Sequence, residues 1–307
     1  MRDTFCRALV AHAGRPDLLF LTGDLGFKAL EPLRDALGMR FLNTGVSEQN
    51  MVGVAAGLAR SGLRPWLYSI APFLYARPFE HVRNDLCLHC LPVVLVGNGG
   101  GYAYGVMGAT HHALEDYGAL LCLPNLRAYV PAFDQDVSAL VGRLLDVAHP
   151  AYLRLGVAEV PPGVEVPPYA PWRRLVEGKV GTVACIGPLV GTLWEYCLRL
   201  PVEKRPALWV VTELPPVRLE PEFLDDIRRT GRLLVVEENV AHGGLGHILA
   251  AGLLEAGRAP GWFRVRAACG YPSGRYGSQK FHRRECGLDP TAALRPLLEE
   301  VFRGGSA

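Results

Sequence analysis

The sequence is organised around one stretch, Asn43-Thr-Gly-Val-Ser-Glu-Gln-Asn-Met-Val-Gly-Val-Ala-Ala-Gly-Leu-Ala59. A short strand-like run ends at Asn43, and a helix rich in small residues is predicted to begin at Glu48. In an α/β sheet, helix N-termini face the crevice at the carboxyl ends of the strands, so Glu48 is well placed to meet a ligand. The alternative is that Glu48 is only a first-turn acid that suits the helix dipole. This stretch by itself leaves both interpretations open.

Composition narrows the class of protein. The chain has 307 residues, half of them hydrophobic, which is enough for two domains with sizeable cores. Its formal net charge is only +2, which argues against an electrostatic nucleic-acid binder. It contains no apolar run of about 18 residues and no signal-peptide pattern at the N-terminus, so we expect no membrane span and a cytoplasmic location.

The eight cysteines are dispersed along the chain. Cys122, Cys185 and Cys197 have apolar neighbours, which favours buried, reduced thiols. Cys87-Leu-His-Cys90 has the spacing of a metal or redox pair, but no second pair completes a zinc site. We therefore expect a structural role for this pair and no metal ligands in this chain.

Predicted strands and helices alternate in the first half of the chain, which is typical of a doubly wound parallel sheet. The strands are expected at 18–22, 40–43, 64–70, 91–97, 126–130 and 151–155, and the helices at 3–13, 30–37, 48–59, 79–87 and 134–147.

Five prolines crowd the segment that ends at Arg173, which predicts a stiff and solvated interdomain linker. A second α/β unit follows, with strands at 180–186, 207–212, 232–238 and, as an edge strand, 262–267. Its helices are expected after Gly191 and at 220–229, 243–256 and 291–302. The predicted division is a first domain at 1–158, a linker at 159–174 and a second domain at 175–307.

A long glycine-rich loop from Gly97 to Thr110 follows the most apolar strand, and long loops at this edge of a sheet usually carry function. Tyr102 stands where a dinucleotide fingerprint needs its third glycine, so a dinucleotide site is not predicted. The neighbours His111 and His112 must point in different directions. At least one of them can face a crevice and serve in proton transfer or substrate contact, although a plain hydrogen-bonding role stays open.

The turn Phe73-Leu-Tyr-Ala-Arg-Pro-Phe79 places two rings and an arginine between a strand and a helix. Such a turn can form a stacking pocket for a flat heterocycle. Ordinary packing of a helix on a sheet is the alternative, and the stretch alone favours it.

Together these motifs resemble the pyrimidine-binding domain of transketolases and the related deoxyxylulose-phosphate synthases. The resemblance rests on the block around Glu48, on the segment from Phe73 to Asp85, and on Gly108-Ala-Thr-His-His-Ala-Leu-Glu-Asp116. The later motifs Val235-Val-Glu-Glu-Asn239, His242-Gly-Gly-Leu-Gly246, Tyr276-Gly-Ser278 and Gly287-Leu-Asp289 are similar to the C-terminal domain of the same family. The resemblance spans nearly the whole chain and implies two doubly wound α/β domains.

One family motif is missing. The family binds the diphosphate of thiamine diphosphate, through Mg²⁺, with a Gly-Asp-Gly motif on a separate N-terminal domain, whereas here Gly23-Asp24 is followed by Leu25. The resemblance thus implies the C-terminal subunit of a split transketolase, inactive alone. A partner subunit would hold the diphosphate with Mg²⁺ or Ca²⁺, in an α₂β₂ assembly with a homodimeric contact. The expected partners are otherwise small-molecule substrates, without nucleic acid or membrane.

The resemblance also implies residue roles. Glu48 matches the glutamate that bonds the pyrimidine N1′ and activates the cofactor, and His111 matches a histidine that faces the substrate, so both are expected to be catalytic. Phe73 and Phe79 match rings that pack the aminopyrimidine, and Arg77 lies between them as a further cofactor-binding candidate. The other substrate-binding candidates are His112, Met107, Arg154 and Arg2.

The sequence departs from sugar-using transketolases at Val106 and Met107, where these carry Glu-Asp or Ala-Asp, and at Ala109, which replaces a proline. A thioether is a poor hydrogen-bond acceptor for a sugar hydroxyl. We therefore expect an acceptor that is less hydroxylated or more apolar than the usual sugar phosphate.

The expected function is transfer of a two-carbon ketol or acyl unit from a ketose or 2-oxoacid donor to an aldehyde-type acceptor. One alternative is the β subunit of a 2-oxoacid dehydrogenase, although the Thr-His-His block favours a transketolase. Another is a catalytically silent scaffold subunit, against which the presence of Glu48, Phe73 and His111 argues.

Overall fold

A computed structural model describes residues 1–303 of the chain, with side chains to residue 299. The strands of this part are β1 Leu18–Thr22, β2 Phe41–Asn43, β3 Arg64–Ile70, β4 Val94–Asn98, β5 Arg127–Tyr129, β6 Ala151–Leu155, β7 Trp172–Val176, β8 Thr182–Ile186, β9 Ala207–Val211, β10 Glu213–Leu214, β11 Arg232–Val240 and β12 Trp262–Ala268.

The α-helices are α1 Arg2–Val10, α2 Glu31–Leu37, α3 Glu48–Arg60, α4 Ala71–Tyr75, α5 Phe79–His81, α6 Asp116–Leu120, α7 Asp134–Leu144, α8 Leu189–Arg199, α9 Pro221–Thr230, α10 Leu245–Glu255, α11 Gln279–Glu285 and α12 Pro290–Arg303. A π-helix, Val82–Cys87, continues α5. Short 3₁₀ turns at Gly105–Met107 and Ala109–His111 lie in the loop after β4.

The first sheet has the order β10-β5-β6-β4-β3-β1-β2. Strands β1 to β6 pair in parallel, and helices cover both faces. β4 lies in the middle, and its first four residues are buried, which suits a strand enclosed on both faces. The prediction of a doubly wound parallel sheet is confirmed.

The second sheet has the order β12-β11-β8-β9-β7, with β7 antiparallel to β9 and the other pairs parallel. β12 is an edge strand, as predicted. The second α/β unit expected from the sequence is therefore present.

Two features differ from the prediction for the middle of the chain. β7 begins at Trp172, inside the segment expected to be the linker, and Val164 and Val166 of that segment pack against the second core rather than standing in solvent. β10 follows β9 directly, yet pairs antiparallel with β5 of the first sheet. The domain limits 1–158 and 175–307 stay a prediction.

The cysteines also differ in part from the expectation. Cys185 and Cys197 are buried, whereas Cys122 is exposed because it follows the short helix α6, and its thiol donates to the carbonyl oxygen of Ala119 at 2.9 Å. Cys87 belongs to the core, while Cys90 is exposed at a turn. In the part of the chain that the structure describes, no helix is both long and apolar enough to cross a membrane.

Candidate active site

The turn before α3 fixes where Glu48 lies. The side-chain oxygen of Asn43 accepts a hydrogen bond from the backbone N–H of Gly45 at 2.9 Å. Gly45 adopts a φ of 73°, which favours glycine, and the Ser47 hydroxyl donates to the carbonyl oxygen of Thr44 at 2.6 Å. Met51, one turn further along the helix, is fully buried. The helix thus begins at Glu48, as predicted, with the Glu48 side chain only 4% exposed.

The carboxyl group of Glu48 has two hydrogen-bond donors. Ser69 near the end of β3 donates its hydroxyl to Oε1 at 3.2 Å, and Arg77 donates from Nη1 to Oε2 at 3.0 Å. The Arg77 guanidinium carbon also lies 3.9 Å from the centroid of the Phe73 ring on α4. A flat cation is therefore bonded to Glu48 and stacked on Phe73 at the same time.

The contacts of Arg77 with Glu48 and Phe73 indicate which kind of ligand these residues fit. A guanidinium is planar and carries only hydrogen-bond donors. The place that it fills between Glu48 and Phe73 suits a flat group that bonds the carboxyl oxygen at its edge and presents its face to an aromatic ring. Those are the two properties expected of an aminopyrimidine, so the residues present fit that group.

His111 joins the same site from the loop after β4. Its ring centroid lies 5.3 Å from that of Phe73 at an interplanar angle of 66°, and 6.2 Å from that of Tyr104. His111 Nδ1 is 2.9 Å from the hydroxyl of Thr110, which leaves Nε2 as the other polar atom of the ring. The structure thus brings Glu48, Phe73 and His111 together, as the sequence predicted.

Tyr104 extends the site and was not predicted from the sequence. Its hydroxyl accepts from the side-chain amide of Asn98 at 2.7 Å. A cavity of about 450 Å³ next to it is lined by Tyr104, Asn98 and Arg2 among others. The only sequence signal for Tyr104 was an aromatic residue in a glycine-rich loop.

Two other predicted residues, Arg2 and Met107, are about half exposed. Arg2 is 45% exposed, and its Nε donates to Asp3 at 3.0 Å. Met107 is 51% exposed on the first 3₁₀ turn of the loop. Phe79 instead packs against the hydrophobic core. The role of Phe79 in binding the cofactor stays a prediction.

His112 is buried against the second domain, and its contact with substrate stays a prediction. It is 3% exposed, with Nε2 at 3.0 Å from the carbonyl oxygen of Gly105 and Nδ1 at 3.0 Å from the hydroxyl of Tyr271. Burial lowers the pKa of its imidazole, which favours the neutral form. Because His111 and His112 point in opposite directions, only one of them can serve the crevice.

Arg154 is also buried among protein partners, and its role as a substrate-binding residue stays a prediction. The guanidinium is 4% exposed, and its Nε donates to Asp116 at 2.8 Å. Its Nη2 donates to the carbonyl oxygens of Ala113 at 2.8 Å and Glu238 at 3.1 Å. Arg154 therefore ties the end of the loop to the second domain.

Two acidic residues of the sequence motifs, Asp116 and Glu238, surround Arg154. Glu238 is buried, and burial alone would raise the pKa of its carboxyl group, but Arg283 at 2.6 Å holds that pKa below the usual range. Its Oε1 accepts from the backbone N–H of Tyr102 at 2.9 Å. Asp116 and Glu238 belong to the contact between domains, which a linear sequence gives no means of seeing. Among the described residues, no group of three or more His, Cys, Asp or Glu could hold a metal ion.

Comparison with known proteins places these features in context. A family model described as "Transketolase, pyrimidine binding domain" matches residues 8–162. The chain is 32% identical over 261 residues to one of the subunits of an apulose-4-phosphate transketolase from Phocaeicola vulgatus, and the match covers 83% of each protein. It is 29% identical over 286 residues to "1-deoxy-D-xylulose-5-phosphate synthase" of Myxococcus xanthus, covering 90% of this chain but 47% of that protein.

A solved structure agrees with these matches. It is described as "Split gene transketolase, inactive beta4 tetramer" and superposes with a TM-score of 0.80 at 27% sequence identity. The superposition covers 98% of this chain and 97% of that chain.

Proposed function

Because this chain belongs to the transketolase family, we propose that it is the cofactor-activating subunit of a split, thiamine-diphosphate-dependent transketolase. The observation that carries the proposal is the flat guanidinium of Arg77, bonded to Glu48 and stacked on Phe73 in the place that an aminopyrimidine would take. The relative from Phocaeicola vulgatus is itself named as one subunit of its transketolase, which supports a two-chain enzyme. The partner subunit would bind the diphosphate together with Mg²⁺ or Ca²⁺ in an α₂β₂ assembly.

Glu48 has the central role in this proposal. Thiamine diphosphate, when bound, supplies an electron sink for cleaving or forming a bond next to a carbonyl group. The Glu48 carboxyl group would share a proton with the pyrimidine N1′, while Phe73 would present its ring face to the heterocycle. Ser69 orients the carboxyl group through its 3.2 Å hydrogen bond, so Glu48 needs no rearrangement of α3 to act.

His111 would face the substrate from the other side of Phe73. The ring contact of 5.3 Å places its imidazole beside the proposed cofactor position. An imidazole there can exchange a proton with a substrate oxygen. Arg2, at the rim of the neighbouring cavity, would attract an anionic group of the substrate.

The exposed thioether of Met107 bears on the choice of acceptor. It offers no good hydrogen-bond acceptor to a sugar hydroxyl, so we propose an aldehyde acceptor that is less hydroxylated than the usual sugar phosphate. The donor would be a ketose or a 2-oxoacid. Screening both donor classes against aldehydes of increasing hydroxylation tests this preference in the two-chain enzyme.

The main test is Glu48→Gln in the enzyme reassembled from both chains. This variant keeps the size of the side chain and one of its two acceptor oxygens but removes its proton exchange. We expect turnover to fall by at least about 100-fold, a typical size for loss of a general acid or base. Steady-state assays should be paired with size-exclusion chromatography, which should show unchanged assembly.

Glu80→Gln is the matched control, because Glu80 is an exposed carboxylate on the neighbouring α5, and its turnover should equal that of the wild type. Full activity of Glu48→Gln would refute the proposed role of Glu48. Calorimetry on this chain alone tests the split arrangement. Tight, Mg²⁺-dependent binding of thiamine diphosphate without the partner would contradict it.

A further inference from the structure

The loop that carries His111, residues 102–112, has two different edges. An antiparallel bridge between Gly101 and Ala113 closes its base, with N–O distances of 2.8 and 3.0 Å. One edge presents Tyr104 and His111 to the crevice. The other edge lies on the second domain, so the loop bridges the candidate active site and a domain that contributes none of the predicted site residues.

Tyr102 anchors the start of this loop in the second domain. Its backbone N–H donates to Glu238 at 2.9 Å, and its hydroxyl donates to the carbonyl oxygen of Gly270 at 2.6 Å. Its ring stacks on that of His282 at a centroid distance of 5.0 Å and an angle of 14°. Tyr102 is fully buried, so these contacts are shielded from water.

The carbonyl oxygen of Gly105 is the next fixed point of the loop. His112 Nε2 lies 3.0 Å from it and His282 Nε2 lies 3.3 Å from it. A carbonyl oxygen has two lone pairs, so it can accept from both imidazoles. With Nε2 of His112 donating, Nδ1 accepts from the Tyr271 hydroxyl, which fixes the tautomer.

The backbone of the loop lies directly against α11. A Cβ atom added at Gly105 would come within 2.5 Å of the backbone nitrogen of Gln279. One added at Gly108 would overlap the ring of Tyr276. The loop therefore has little freedom to move towards the second domain, and the contacts of Gly105 with His282 and of His112 with Tyr271 oppose its moving away.

We propose that His282 is a positioning residue which, with His112, clamps the carbonyl group of Gly105 and so fixes the loop that presents His111 to the active site. The role of His111 towards substrate rests on the proposed function. The position of the loop does not depend on the proposed function, so it can be tested without any substrate.

The test is hydrogen exchange in the full chain, comparing wild type with His282→Leu and His282→Gln. Two amides within the loop report on its opening, those of Met107 and His111, which donate to the carbonyl oxygens of Tyr104 and Gly108. In His282→Leu we expect these amides to exchange about tenfold faster, the effect of losing one hydrogen bond that holds the closed state. Exchange in β4, which reports on global opening, should stay unchanged.

The conservative variant His282→Gln should restore slow exchange, because its amide N–H can still donate to Gly105. His247→Leu, the same substitution at an exposed histidine of the second domain, should match the wild type. Unchanged loop exchange in His282→Leu, or equal acceleration in the loop and in β4, would overturn the clamp.

If His282→Leu does not fold, His282→Phe serves in its place, since it keeps a ring stacked on Tyr102 but removes the donor to Gly105. We expect faster exchange confined to the loop, and an unchanged loop would overturn the proposal. The proposed function fails on a different result, full turnover of Glu48→Gln, so the two failures can be told apart.

Discussion

Arg77 and the expected aminopyrimidine compete for the same two partners. The guanidinium carbon lies 3.9 Å from the Phe73 centroid, and its Nη1 lies 3.0 Å from Glu48. Binding of the heterocycle must therefore displace Arg77, at the cost of a half-exposed ion pair and a cation–π contact. We expect Arg77→Ala to tighten thiamine diphosphate binding about fivefold in the two-chain enzyme with Mg²⁺, measured by calorimetry.

Arg83→Ala removes an exposed arginine from the following π-helix and should leave this affinity unchanged. Weaker binding in Arg77→Ala would mean that Arg77 holds the cofactor in the complex instead of making way for it. The sequence shows that Arg77 lies between the two rings. It could not predict the stacking on Phe73, which depends on the conformation of the turn between α4 and α5.

His112 links pH to stability. Burial lowers the pKa of its imidazole below the ordinary value of 6.5, and the hydrogen bond to Gly105 opposes the shift in part. Below that pH the unfolded chain binds more protons at this residue than the folded chain, so the free energy of unfolding decreases as pH falls. Urea denaturation at pH 7.5 and 5.5 should show a smaller decrease in His112→Gln than in the wild type. An identical decrease in both proteins would contradict this.

The sequence predicted the place of some candidate residues and not that of others. Glu48 and His111 follow turns whose position the local pattern predicts, and the structure brings them together at Phe73. The burial of His112 and Arg154 was not predicted, because their partners Tyr271 and Glu238 lie in the second domain. Only the folded chain shows that contact.

At the scale of elements, α3 carries two glycines that its own packing does not require. A Cβ atom added at Gly53 or Gly57 meets no neighbouring atom within 4 Å, and both residues are helical and exposed. Gly53→Ala and Gly57→Ala should each raise the free energy of unfolding of the isolated chain by about 0.5–1 kcal/mol. Urea denaturation measures this directly.

Gly105→Ala is the opposite case, because its Cβ would press on the backbone of Gln279. We expect it to lower the free energy of unfolding by about 1–3 kcal/mol, the usual cost of overpacking. A Gly105→Ala variant as stable as the wild type in the same urea denaturation would contradict the close approach of the loop to α11.

The elements that sequence patterns predicted best are the buried strands. β1, β3 and β6 lie at their predicted positions because their apolar runs need enclosure on both faces. α11 was missed because its residues Gln279–Glu285 are mostly polar, and the buried members His282 and Arg283 are held by partners in other elements. β10 was also missed, because a strand of two residues is too short to show an alternation of apolar and polar residues.

At the scale of the whole molecule, a buried ion pair joins β7 of the second sheet to helix α7. Arg173 on β7 lies 2.6 Å from Asp136 on α7, and their side chains are 4% and 1% exposed. Asp136 also accepts from the backbone N–H groups of Ala132 and Phe133. Asp136→Ala would leave the arginine buried without its partner, so we expect the free energy of unfolding to fall by about 3–5 kcal/mol.

Asp225→Ala provides the comparison, because Asp225 pairs with Arg228 in a contact where both side chains are more than half exposed. Its effect should stay within about 0.5 kcal/mol. Equal losses in the two variants by urea denaturation would show that burial of the Asp136 pair adds nothing to stability.

The position of β10 has a consequence for how this protein could be divided or recombined. β10 lies within the second half of the chain but forms an edge of the first sheet, next to β5. A fragment cut at residue 158 would leave β5 with an unpaired edge, which is a site for aggregation. A chimaera that exchanged everything after that residue would replace a strand of the first sheet as well. The first half of the chain alone therefore lacks one strand of its own sheet.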